Sequence, residues 1–426
     1  MNRTPHVASY YAASARPAVD RPALLGSLES DVCVVGGGIA GCSAALHLAE
    51  RGYRVVLLEE HRIGWGASGR SGAQALHGVA SGQHKLERLI GTERARAVWD
   101  VTVEGLALIK DLISRHGIRC DWVSGHLLTA IKPRHEVELR AELDLLRDKL
   151  DYPSARYMEA EEVRSIVASK RYTGALYDAN SGHLHPLNYT LGLAEAAERM
   201  GVRIFEGTRA LSYTNGSHVI VHTPQGQLHC QHLVLCGNVY LGKTAPPLTS
   251  KIMAVGTYIV ATEPLGEQRA TQLIANNAAV TDMNWVLDYF RLSADHRMLF
   301  GGRVSYSGLD PDCTPESTRA RMLKVFPQLA DARIDYSWGG YVDITMNRAP
   351  HFGRLGSNVY FLQGFSGHGI VLTGMAGKLI ADAIAGTAER FDVFTRIPHG
   401  NFPGGTLLRR PALVLAMLYY RLRDLL

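Results

Sequence analysis

The chain has 426 residues, room for two to three domains at roughly 150 residues each. Hydrophobic residues are 46% and charged residues 20%, which excludes disordered and fibrous classes. The 45 basic and 40 acidic residues leave a net charge of +5, scattered along the chain, which gives no nucleic-acid footprint.

Residues 1–28 hold Pro5, Pro17 and Pro22, show little periodicity and carry no apolar run of the kind a secretory signal needs. They are expected to lie extended over the surface. Residues 31–35 (Asp-Val-Cys-Val-Val) read as a buried parallel strand. A glycine turn and a helix through Arg51 follow, closed by Gly52, and residues 54–58 form a second strand ending at Glu59. Helical periodicity spans 85–116 and 134–150, with a strand at 127–131 between them. A helix over 190–200 leads to strands at 202–205, 219–222 and 233–236, the last two around the turn at Pro224-Gln225-Gly226. From 253 to 304 the pattern is strand-like, clearest at 257–262 and 298–301. A late strand at 358–362 runs into Gly364-Phe365-Ser366-Gly367-His368-Gly369, and a helix over 370–384 is closed by Gly386.

Two stretches, 32–49 and 355–377, contain no Asp, Glu, Lys or Arg. Their Gly, Ser, Asn, Gln and His content argues for close backbone packing rather than membrane spans. Six cysteines at 33, 42, 120, 230, 236 and 313 form no C-x-x-C pair, against zinc or a redox pair and in keeping with a reducing, cytoplasmic setting.

Gly36-x-Gly38-x-x-Gly41 sits between an apolar strand and a helix, with Glu59 placed 21 residues after Gly38. Gly36 permits the tight turn, Gly38 lets the backbone approach a pyrophosphate, and Gly41 allows the helix to pack closely. The helix N-terminus offers free N–H groups to the phosphates, and Glu59 is placed to accept from ribose hydroxyls. The motif alone does not separate NAD from FAD. The second small-residue segment, from Gly64 through Ser68 to Gln74, favours FAD, because a nicotinamide dehydrogenase has no need of it. The third cluster, 364–369, would aim a helix N-terminus at the flavin edge that becomes negative on reduction. His368 in that turn is either a donor or proton-handling group beside the flavin, or a structural helix-start residue.

Together with Ser9-Tyr10-Tyr11-Ala12-Ala13-Ser14, Gly182-His183-Leu184-His185-Pro186-Leu187-Asn188 and Phe402-Pro403-Gly404-Gly405, these segments resemble the D-amino-acid-oxidase-like superfamily of FAD-dependent amine oxidases. Within it they are most similar to the bacterial gamma-glutamylputrescine oxidases. The resemblance runs nearly end to end. It implies an α/β protein with a discontinuous Rossmann-like FAD-binding domain (29–115, 180–245 and 345–400). A substrate domain with a large mixed sheet (116–179 and 246–344) and a tail helix (401–426) complete it. It also implies a set of cofactor residues: Gly36, Gly38, Ile39, Ala40 and Gly41; Glu59 and Glu60; Ala67, Ser68, Arg70, Ser71, Gly72, Ala73 and Gln74; Ala210 and Gly237; and Gly364, Gly367, His368, Gly369, Ile370 and Val371. With no cysteine after Cys313, the FAD is expected to be held without a covalent tether. The implied reaction is oxidation of a gamma-glutamylated amine to aldehyde, ammonia and hydrogen peroxide, with oxygen as acceptor. The rivals are a secondary-amine or amino-acid oxidase, a dehydrogenase serving quinone, and a non-catalytic FAD-fold interaction protein. The chain departs from the family pattern at Ser71, Ala73, Arg303 and 346–351, positions that shape the pocket.

His368 and Arg291 are the candidate catalytic residues. Arg291, with Tyr289 on the same strand face, is read as a substrate-carboxylate partner, a positive charge near the flavin, or a paired structural arginine; Arg303 is a second carboxylate candidate. Trp338 and Tyr341 wall an amine pocket or pack the core. His183 and His185 lack a third metal ligand and read as loop structure or pocket. The tail's apolar run, 411–420, is too short to span a membrane and is expected to pack on the protein or a partner subunit, with an interfacial helix as the alternative.

Overall fold

The computed structural model describes residues 4–17, 19–285, 287–305 and 315–403. The tail helix and Gly404-Gly405 lie outside the described residues, as does the side chain of Arg303.

Val32–Val35 and Val55–Leu58 are apolar at every position and buried on both faces, the condition for central strands of a parallel sheet. They sit in a six-stranded sheet in the order His351–Arg354, Val359–Gln363, His232–Leu235, Val32–Val35, Val55–Leu58, Arg203–Phe205. All its pairings are parallel except that of the first two strands. Alternate side chains divide the packing. Val32, Val34, Val55 and Leu57 face a layer that includes helices Ile39–Glu50, Pro186–Arg199 and Ile370–Ile384. Cys33, Val35, Val56 and Leu58 face Val219, Val221 and Leu228 of a small four-stranded sheet.

The two charge-free stretches meet inside this layer. A Cβ on Gly377 would come within 2.5 Å of Ala44 N, so helices Ile39–Glu50 and Ile370–Ile384 pack backbone to backbone. Ser43 Oγ adds a bond to Gly374 O at 2.6 Å. Among the described residues no single helix is long and apolar enough to cross a membrane.

The second body is a nine-stranded mixed sheet. Its long strands Ile252–Thr262 and Ile334–Thr345 pair antiparallel along their length. Val123–Ala130 lies between Gly174–His183 and Ala279–Asp282. One face is closed by aromatic packing: Phe290 stacks on Phe300 and meets Phe326 edge-on. The opposite face looks towards the dinucleotide half.

Several expectations are corrected. The N-terminal segment is not simply draped: it forms helix Tyr10–Ser14, capped by Ser9, and strand Gly26–Glu29. Tyr11 is fully buried against His185 and Trp338, and Arg21 is buried on Glu198 and Glu206. The long helix at 85–116 breaks at Gly91, where φ is +84°, into Gln83–Ile90 and Thr92–His116. The helix expected at 190–200 starts earlier, at Pro186, a favoured first-turn proline. Strand Val219–His222 pairs with Gly226–Cys230 across the Pro224 turn, while His232–Leu235 leaves to join Val32–Val35. The strand-like stretch 253–304 contains a helix, Glu267–Leu273.

Candidate active site

A cavity of about 1140 Å³ runs from the Gly36 turn to the inward face of the nine-stranded sheet. It exceeds the roughly 300–1,000 Å³ typical of small-molecule pockets, leaving space for a dinucleotide and a substrate together.

At the dinucleotide end, Gly36 has φ +109°, and a Cβ there would lie 2.7 Å from Cys236 O. A Cβ on Gly38 would lie 2.8 Å from Ser68 Oγ, which accepts from the first helical amide, Ile39 N, at 3.0 Å. Glu59 is half-buried at the end of the second strand. Its Oε2 accepts from Gly37 N at 2.7 Å and its Oε1 from His61 N at 2.8 Å. Burial pushes its pKa up to about 7, since nothing cationic offsets the lost hydration. Each oxygen keeps a lone pair for a hydroxyl. Glu60 and Arg209 pair at 3.4 Å beside it, and Ala210 and Gly237 line the same end.

In the middle, Ala67, Ser68 and residues 71–74 form one wall. Gly367, His368, Gly369 and Ile370, opening helix Ile370–Ile384, also line the cavity. Asp343 is buried and accepts from Gly364 N and Phe365 N, which fixes this turn. Burial raises its pKa to about 6.

The far lobe holds residues that the sequence reading missed. His126 and Asp178 are opposite partners in an antiparallel pair, so both face one side, with Leu128 and Leu176 two positions on. Asp178 accepts from Tyr152 Oη at 3.0 Å and from the amides of Asn180 and Ser181, and His77 Nε2 stands 3.4 Å away. His77 is packed edge-on against Trp99 and Tyr152. Burial lowers His77 to about 4 and His126 to about 3, so both rings are neutral. Glu138, Glu142 and Asp282 also line this lobe, and burial raises Glu142 and takes Asp282 to about 7. In the sequence His126 stands just before the apolar run 127–131, and nothing local marks Asp178.

Other expected residues stand behind the walls. Arg291 does not line the cavity. All its N–H groups are engaged, by the carbonyls of Gly72, Leu292 and Leu184, by Tyr11 Oη and by His183 Nδ1. With no donor left over, it clamps the Gly72 loop instead of reading a carboxylate. Arg70 is likewise buried, its Nε on Trp65 O at 2.7 Å and its guanidinium 4.1 Å above the Trp65 ring. Gly41 acts on the turn itself, since a Cβ there would lie 1.9 Å from Gly36 O. Gly364 and Val371 sit outside the lining; a Cβ on Gly105 would meet Val371 at 2.7 Å. Trp338 is core, donating to Arg70 O, whereas Tyr341 does line the cavity. His183 donates to Asn277 O, and His185 caps helix Pro186–Arg199. His368 Nε2 donates to His77 O at 2.7 Å, so the N–H expected to face the cofactor is already committed.

Residues 31–383 match the family model described as FAD dependent oxidoreductase, DAO. The chain belongs to the DAO family of FAD-dependent oxidoreductases. It is 42% identical to gamma-glutamylputrescine oxidoreductase of Escherichia coli K12 over 422 residues, covering 99% of each chain. Among solved structures it superposes on glycine oxidase from Bacillus cereus with TM-score 0.70 and 22% identity, covering 87% of this chain and 98% of that one. It matches L-proline dehydrogenase from P. horikoshii with TM-score 0.70 and 21% identity, covering 84% and 94%. The DAO fold accounts for both large sheets, and the cofactor is FAD. The cavity fits that group: the Gly36 and Gly38 backbone has no room for a Cβ, the Glu59 carboxylate lines the same end, and a helix N-terminus opens at each of two walls.

Proposed function

We propose that this DAO-family enzyme oxidises the primary amine of gamma-glutamylputrescine, or a related gamma-glutamylated amine, to an aldehyde, releasing ammonia and passing the electrons to oxygen as hydrogen peroxide. The observation that carries this reading is the far lobe. Its walls supply four carboxylates, Glu138, Glu142, Asp178 and Asp282, among the apolar side chains of Leu128, Leu146, Leu176 and Trp99. Such a lobe attracts a cationic amine on an alkyl chain and removes water from it. Near-full-length similarity to a gamma-glutamylputrescine oxidoreductase supports the substrate class.

FAD, when bound, supplies the two-electron oxidation. The protein's part is placement. Glu59, the Gly38 turn and Ser68 would hold the dinucleotide without a covalent bond. The start of helix Ile370–Ile384 would put its positive end where charge accumulates. The carboxylates gather the ammonium form from solvent, and the apolar walls favour the neutral amine, whose lone pair is needed as the C–H bond breaks. The imine product then hydrolyses in water.

Arg348 also lines the cavity and favours a second reading, oxidation of a small amino acid through its carboxylate. Product analysis separates the two. Under air, gamma-glutamylputrescine should give aldehyde, ammonia and peroxide in equal amounts, with glycine and sarcosine giving little. Turnover of glycine or sarcosine in preference would establish the second reading.

A further inference from the structure

Each proton around His126 can be placed. Gln74 Nε2 donates to Val280 O at 2.9 Å, which turns Gln74 Oε1 towards Thr281. Thr281 Oγ1 gives its one hydrogen to that Oε1 at 2.5 Å. The hydroxyl must therefore accept at its 3.2 Å contact with His126 Nε2, and Nε2 carries the ring proton. Nδ1 of the neutral ring is then a lone pair, and among the described residues no group donates to it. The ring lines the cavity beside the Gln74 wall, on the sheet face it shares with Asp178.

We propose that His126 Nδ1 is the acceptor that binds and aims the substrate's amine N–H, and that it does so without taking the amine's proton. The proposal rests on the amine-oxidase reading above. The ammonium loses its proton to solvent on entering the lobe. The neutral amine then donates one N–H to Nδ1 and keeps its lone pair free. As the C–H bond breaks with its electron pair going to the bound cofactor, that lone pair forms the C=N bond. The product is an iminium, a stronger donor still held at Nδ1.

The surroundings favour an acceptor over a base. Asp178 from strand Gly174–His183, His77 after Gln74–Ala75, His368 before helix Ile370–Ile384, Asp282 at the end of Ala279–Asp282, and Glu138 and Glu142 of helix Pro133–Asp144 are the titratable groups around this lobe. Asp178 already has several donors, and both other histidines are neutral, their pKa values lowered by burial. Burial holds His126 near 3, far below an alkylamine near 10.

The test uses the FAD-loaded enzyme, FAD content being measured for every variant. The probe is an alkylamine whose α carbon carries two methyl groups and so has no hydrogen to lose, its binding read from the perturbed flavin absorbance at high pH. His126→Leu should weaken binding roughly 10–100-fold, the loss expected for an unpaired buried polar group. His126→Asn, which keeps an acceptor, should recover part of it. The pH midpoint of anaerobic flavin reduction by a reactive amine should be the same in the parent and in His126→Asn, because it belongs to the amine. Thr281→Val, which removes the group fixing the tautomer together with the donor to Gln74 Oε1, should weaken the probe several-fold at matched FAD content and serves if His126→Leu does not fold. Unchanged probe binding in His126→Leu or Thr281→Val overturns the proposal, as does loss of the pH midpoint in His126→Asn. A parent enzyme blind to every such amine removes the amine-oxidase reading and the proposal with it. Loss of gamma-glutamyl preference alone contradicts only the substrate assignment, because the ratio of parent to variant is unaffected.

Discussion

The ring of His368 donates through Nε2 to the backbone carbonyl of His77 at 2.7 Å. One bond thus ties the opening of helix Ile370–Ile384 to the segment that follows strand Gln74–Ala75. Burial keeps the ring neutral, so it has a single N–H and that N–H is spent. The residue is a brace between two walls of the cavity. His368→Ala should leave His77 O buried and unpaired, costing about 1–3 kcal/mol of stability. The flavin-reduction rate should fall less than about tenfold, well below the 10²–10³-fold expected for a lost oxyanion-type donor. His368→Gln, whose amide nitrogen reaches a similar position, should restore part of the stability. Denaturant melts paired with stopped-flow reduction check both statements.

Glu59 links cofactor binding to pH. Its folded pKa, about 7, lies above the usual carboxylate value near 4.3. The folded apoprotein therefore binds this proton more tightly than the unfolded chain. The contribution is favourable and complete below about pH 4, and is lost as pH rises through about 7. Glu59→Gln removes this slope. The stability of the variant relative to the parent should rise between pH 4 and 7 by up to about 3 kcal/mol, measured by urea unfolding of apoprotein at several pH values. The same variant should retain less FAD through gel filtration. A flat difference across that range would show that the Glu59 carboxylate is not desolvated as described.

Arg291 offers a separation of structural from substrate-reading roles. Its donors hold the carbonyls of Gly72, Leu184 and Leu292, and Tyr11 Oη. Arg291→Met should cost at least about 3 kcal/mol, because several acceptors lose a charged donor together. It should lower FAD occupancy through the Gly72 loop. In the molecules that retain FAD, KM for a gamma-glutamylated amine relative to a simple alkylamine should not change. A selective rise in KM for the gamma-glutamylated substrate would return Arg291 to the pocket.

Gly377 sets the spacing of the two helices that open on the cavity. An added Cβ would approach Ala44 N to 2.5 Å and Ala40 O to 2.8 Å, both backbone atoms that cannot rotate away. Gly377→Ala should destabilise the protein by about 1–3 kcal/mol and lower FAD occupancy as well, since both helix starts shift. Thermal unfolding with FAD content per chain is the check.

The dinucleotide half was legible because its strands are buried on both faces and therefore read as unbroken apolar runs. Val32–Val35, Val55–Leu58 and helix Ile370–Ile384 fall where hydrophobic pattern and glycine spacing put them. Strands Gly174–His183 and Ile334–Thr345 were not read, because their sequences carry Asp, Ser, Tyr and Gly among the apolar residues. Asp and Gly have low strand propensity and break the apolar alternation, and pairing with neighbours holds these segments extended. His126 and Asp178 belong together through strand register, which no local pattern encodes. Helix Tyr10–Ser14 is too short to stand alone; its place is set by burying Tyr11 against residues far along the chain. Arg291 and Arg70 looked like binding groups because charge was visible in the sequence while their carbonyl partners were not.

The most direct measurement is anaerobic stopped-flow reduction of the bound flavin by gamma-glutamylputrescine and by putrescine under identical conditions. Reduction by gamma-glutamylputrescine should be at least about tenfold faster at equal subsaturating concentration, a difference of about 1.4 kcal/mol. The rate should rise with pH until the bound amine has lost its proton. Equal rates for the two amines, or faster reduction by glycine or sarcosine, would contradict the account.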